Sequence, residues 1–102
     1  MGDKVASLEE ACALVPPGAS VAMSAGGVEQ APMALLRELL RRGVGDLHLV
    51  GVTGGGLNFD LLIGAGAVRS VELCHCTLGA FGGAPHFQRR FKEGSLRTLD
   101  NT

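Results

Sequence analysis

Aromatic residues are scarce in this chain: four phenylalanines, no tyrosine and no tryptophan in 102 residues. Little is therefore available to stack bases. A formal net charge of −1 supplies none of the positive field that holds a phosphate backbone. Together these deficits argue against a nucleic-acid-binding role. No apolar run approaches the roughly 20 residues of a membrane-spanning helix, so no membrane partner is expected. Met1-Gly2-Asp3-Lys4 lacks the basic-then-apolar order of a secretory signal. The three cysteines, Cys12, Cys74 and Cys76, are an odd number without framework spacing, which fits a reducing compartment. The expectation is a soluble cytoplasmic protein with one domain over residues 1–102, because 46% hydrophobic and 19% charged residues suit a folded core.

Glycine, in contrast, is abundant, at 16 residues. Inside a helix or strand each costs roughly 0.5–1 kcal/mol relative to alanine, and here they cluster between candidate elements, as tight turns would. Ser7-Leu8-Glu9-Glu10 has the form of a capping box, predicting a short helix over 8–14 that Pro16-Pro17-Gly18 ends. A strand is expected at 20–24. A helix follows at 32–42, with Leu35, Leu36, Leu39 and Leu40 on one side and Gly43 as its C-cap. Residues 47–50 read as a buried strand and 53–56 as a loop. A short helix is expected over 60–63, a strand over 70–76, an amphipathic helix over 85–93 and a last strand over 96–99. Alternating strands and helices predict an α/β fold: part of a doubly wound, mainly parallel sheet with flanking helices.

Several clusters are candidates for chemistry. The strongest is Ser24 to Gln30, a turn of small residues between a strand and a helix with Pro32 in its first turn. Backbone N–H groups there can approach a thioester oxygen, a carboxylate or a phosphate. The competing possibility is a tight turn that meets no ligand. Gly54-Gly55-Gly56 can form an anion-binding nest but lacks the Gly-Lys-Ser/Thr ending of a phosphate loop. In Gly64-Ala65-Gly66, Arg69 stands at the third glycine position of a dinucleotide fingerprint, which counts against that motif. Cys74-His75-Cys76, with His86 nearby, invites a metal assignment. On one strand, however, the two cysteines share a face that His75 does not, and zinc needs about four converging ligands. Cysteines packed as small hydrophobes are expected instead. Glu29 is the acid within the small-residue turn. Arg37, Arg41 and Arg42 form a basic helix side, either solvated or facing phosphates.

The order Pro17-Gly18 … Val21-Ala22-Met23-Ser24-Ala25-Gly26-Gly27 … Pro32-Met33-Ala34-Leu35 … Arg37-Glu38-Leu39 resembles the opening unit of the A (alpha) subunit of the family I coenzyme A transferases. Three further blocks resemble the same subunit in order. They are Asp46 to Gly51 with Thr53-Gly54-Gly55, Asp60 to Arg69, and Phe81 to Arg90 with Glu93-Gly94. The resemblance spans nearly the whole chain and covers the N-terminal part of that subunit. There are departures: Ser24-Ala25-Gly26 stands where the family carries Gly-Gly-Phe, and Gln30 replaces a glycine.

The resemblance implies a role in moving coenzyme A between an acyl-CoA and a free carboxylic acid. The coenzyme A thioester is then a substrate, and no cofactor is bound covalently. It also implies a B-type partner, because the family's glutamate nucleophile lies in a Ser-Glu-Asn-Gly motif that this sequence does not contain. Ser24, Ala25, Gly26, Gly27 and Gln30, with Gly54 and Gly55, would then line the coenzyme A site, with no catalytic residue in this chain. A rival expectation is a shortened, non-catalytic module. Its open sheet edge and uncovered apolar faces would favour a homo-oligomer or another protein partner.

Overall fold

The computed structural model describes residues 7–24, 32–52 and 54–99. Helix α1 (Leu8–Ala13) starts where the capping box places it: the Ser7 hydroxyl accepts from the Glu10 N–H, and the Glu10 carboxylate accepts from the Ser7 N–H. Strand β1 (Ser20–Met23) leads through the small-residue segment to α2 (Met33–Arg41), which buries Leu36 and Leu39. Gly43 follows the Arg42 cap at φ +73°, the left-handed conformation in which glycine ends helices without strain. Strand β2 (Leu47–Gly51) alternates buried and half-buried residues.

Three elements depart from the sequence expectation. Gly54–Gly55 forms a short strand, β3, where a loop was expected, and α3 (Leu57–Gly64) begins three residues before Asp60. The single strand expected at 70–76 is two strands in different sheets, β4 (Val68–Glu72) and β5 (His75–Cys76), parted by a bend at Cys74. Leu73 still donates its N–H to the Leu99 carbonyl at 3.1 Å, so the departure from the large sheet begins after it. A 3₁₀ turn (Gly79–Phe81), α4 (Pro85–Glu93) and β6 (Arg97–Leu99) complete the described chain.

The four-stranded sheet has the order β1-β2-β4-β6, and all its pairs are parallel. The order runs in one direction, so right-handed crossovers place the connecting helices on one face. On that face Val21, Met23, Leu47, Leu49 and Val71 pack with Leu36, Leu39, Phe59, Leu62 and Ile63 in one core. Each fully buried side chain of this size contributes about 1.5–3 kcal/mol. The opposite face carries Ser20, Ala22, His48, Val50, Ser70, Glu72, Arg97 and Leu99, in register across the four strands. A second sheet pairs β3 with β5 in parallel beyond the carboxyl ends of β2 and β4.

Candidate functional site

In a parallel α/β sheet, ligands bind beyond the carboxyl ends of the strands. Here those ends are Met23-Ser24, Gly51-Val52 and Glu72-Leu73, and the Val52 N–H donates to the Met23 carbonyl at 3.1 Å, joining the first two. Ser24 is exposed at this end. Ala25, Gly26, Gly27, Glu29 and Gln30 lie outside the described residues. Gly54 and Gly55 are buried beside the same end, within a ladder: Gly54 faces His75, Gly55 faces Cys76, and the Gly55 carbonyl accepts from the Thr77 N–H at 3.1 Å. Both glycines are required by contact. A Cβ on Gly54 would run into the His75 ring, and one on Gly55 would stand 2.7 Å from the Phe59 ring.

The first turn of α3 organises this region, and sequence reasoning missed it. Asn58, Phe59 and Asp60 are consecutive and all buried. The Asn58 Oδ1 accepts from the Gly56 N–H at 3.2 Å, and its Nδ2 points at the Met23 Sδ, 3.8 Å away. Asn58 thus links the last residue of β1 to the glycine segment. Asp60 Oδ1 accepts from the Phe87 N–H at 2.8 Å. Phe87 lies in the first turn of α4, whose own cap, Ala84, provides no side-chain hydrogen bond, so a residue of another helix caps it. The available signal was two polar residues inside an otherwise apolar segment, Leu57 to Ile63.

The structure separates the Cys74-His75-Cys76 cluster. Cys74 is exposed at the bend while Cys76 is buried, so the two cysteines do not share a strand face as expected. Burial first, and then the Asp60 charge, push the Cys76 thiol up to about 12. No three His, Cys, Asp or Glu side chains converge to hold a metal among the described residues. On the basic side of α2, Arg41 and Arg42 both bond to the Glu38 carboxylate, at 3.1 and 3.2 Å. Those hydrogen bonds, Arg41's first, hold Glu38 below the usual carboxylate range. Two of the three arginines are thus already engaged within their own helix.

A family model described as coenzyme A transferase matches residues 5–102 of this chain. The chain belongs to the coenzyme A transferase family. It is 34% identical over 99 residues to the A-type subunit of glutaconate CoA-transferase from Acidaminococcus fermentans, a match over 95% of this chain and 31% of that protein. It is 38% identical over 71 residues to the cholesterol ring-cleaving hydrolase IpdA subunit of Mycobacterium tuberculosis, covering 70% of this chain and 24% of that one. Among solved structures, glutaconate coenzyme A-transferase from A. fermentans superposes with a TM-score of 0.82 at 30% identity, over 98% of this chain and 32% of that chain. A variant of the decarboxylase AibA/AibB superposes with a TM-score of 0.81 at 30% identity, over 95% of this chain and 38% of that one. This coenzyme A transferase family chain thus spans about a third of the length of its relatives. By their names those relatives include a transferase, a hydrolase and a decarboxylase, so membership alone does not decide the reaction. Among the described residues, no helix is long and apolar enough to cross a membrane.

Proposed function

We propose that this chain acts as the A-type component of a coenzyme A transferase that moves coenzyme A between an acyl-CoA and a free carboxylic acid. The observation that supports this most is its likeness to the A-type subunit of glutaconate CoA-transferase, in both sequence and structure, over almost all of its length. The partner is a B-type subunit carrying the nucleophilic glutamate. That carboxylate attacks the acyl-CoA carbonyl to give a mixed anhydride and coenzyme A thiolate. The thiolate returns to form an enzyme thioester and releases the first acid, and a second acid then takes up the coenzyme A. Ser24, Ala25, Gly26, Gly27 and Gln30, with Gly54 and Gly55, line the coenzyme A site from this side, and backbone N–H groups of the Ser24 to Gln30 turn meet the developing oxyanion. Asn58 and Phe59 hold the glycine segment against β1 and α3.

The test is to isolate the protein from its own cells and determine which chains travel with it. The complex is then given an acyl-CoA and a labelled acid. Label appearing in a new acyl-CoA, with the isolated chain inactive, supports transfer. Release of free coenzyme A without a new thioester indicates hydrolysis, and carbon dioxide indicates decarboxylation. One observation favours a second assignment, a self-associating module: Ala22, Val50 and Leu99 stand on the sheet face opposite the helices, with Ala22 and Leu99 exposed. A native mass at twice that of the chain, with no other subunit, would support that module.

A further inference from the structure

A cavity of about 250 Å³ opens where β4 leaves the large sheet, lined by Leu73, Cys74, His75, Phe87, Phe91 and Thr98. Four segments build it: the bend after β4, strand β5, helix α4 and strand β6. Its aromatic wall is ordered. The Phe87 and Phe91 rings stack with centroids 6.0 Å apart at 27°, and the Asp60 carboxylate fixes the Phe87 backbone. At its polar rim the exposed His75 ring lies against Gly54, where a side chain would collide with it. The cavity therefore adjoins the glycine segment proposed above to face coenzyme A.

The lining decides the ligand class. Leu73, Phe87 and Phe91 offer apolar surface, and the His75 imidazole and Thr98 hydroxyl offer hydrogen bonds. The volume exceeds the roughly 150 Å³ in which an engineered apolar cavity takes up benzene. Neither lysine nor arginine is among the lining residues. One carboxyl group can be satisfied by His75 and Thr98, whereas a second carboxylate held against the aromatic wall would be left without a partner. We propose that this cavity receives the apolar chain of a small monocarboxylic acid, or the acyl group of its thioester, with the carboxyl or carbonyl oxygen at His75 and Thr98. The proposal deepens the transferase assignment and rests on it for the acyl chemistry of the ligand; it also selects monoacids over dicarboxylic acids.

Cys74 reports occupancy without any turnover. The purified protein is alkylated with iodoacetamide, and the Cys74 peptide is followed by mass spectrometry, without ligand and with hexanoate or glutarate at about 10 mM, a level suited to millimolar affinity. Hexanoate is expected to slow Cys74 alkylation about threefold or more, as occupancy several times above Kd requires. Glutarate is expected to leave the rate unchanged. Phe91→Asp, at an exposed position, removes the protection, and Thr98→Val weakens it while keeping the volume. Equal protection by both acids, no protection, protection that survives Phe91→Asp, or a Cys74 that does not react in the ligand-free protein would each overturn the proposal. Failure of coenzyme A transfer with a partner subunit is a separate result and bears on the transferase assignment.

Discussion

Gly54 and Gly55 are adjacent and both lack room for a side chain, yet their substitutions should differ. A methyl group on Gly55 meets the ring of Phe59, which is fully buried and cannot move aside. Gly55→Ala should therefore cost about 1–3 kcal/mol, as overpacking does, measured as a lowered denaturation midpoint. A methyl group on Gly54 meets His75, an exposed residue whose ring can swing outward. Gly54→Ala should thus cost less stability while altering the rim of the neighbouring cavity. The cysteines give a second prediction at this scale. The folded protein holds the Cys76 proton up to about pH 12, against 9.0 for an unperturbed thiol. Its contribution to stability is complete below pH 9 and disappears as the pH rises from 9 to about 12, because the unfolded chain releases that proton first. At about pH 8, below the ordinary thiol value, iodoacetamide should label Cys74 in the native protein and spare Cys76, the two being resolved by peptide mapping.

Elements were legible where local chemistry decided them. The Ser7–Glu10 box, the leucine face of α2 and the span of α4 all depend on neighbours within a few residues. The start of α1 and the full extent of α4 lie where their residues predict them. Some features set by distant partners were not legible. Strand β3 exists because Gly54 and Gly55 pair with His75 and Cys76, far along the chain. The polar Asn58 and Asp60 concealed the beginning of α3, because their bonds run to Gly56 and Met23 and to Phe87. The cap on α4 tests this dependence. Asp60→Ala leaves the Phe87 N–H without its acceptor and should cost about 1–3 kcal/mol, lowering Tm by roughly 5 °C or more. Asp60→Asn keeps an acceptor oxygen and should lose less. Both variants should also lower the Cys76 pKa from about 12, since the Asp60 charge is the second cause of its elevation.

At the scale of the whole molecule, the main feature is a parallel sheet with helices on one face and a mixed polar and apolar surface on the other. On that second face, His48 Nδ1 lies 2.6 Å from the Ser70 Oγ, and its Nε2 lies 3.7 Å from a Glu72 oxygen, beside Ala22 and Val50. If this surface is where another chain rests, Val50→Lys should reduce association while leaving the fold intact, because Val50 is only half-buried. Native mass and circular dichroism together measure the two effects; unchanged association would place the contact elsewhere. By itself the sequence determined the fold class, the parallel order of strands and helices, and the family. Periodicity, caps and ordered glycine motifs are local properties that survive without coordinates. Only the tertiary structure decided that the glycine segment is a paired strand, that Cys74 and Cys76 part company, and that α3 anchors three neighbours. Those outcomes depend on which distant backbone and side-chain atoms come within hydrogen-bonding or contact range. No local pattern encodes that proximity.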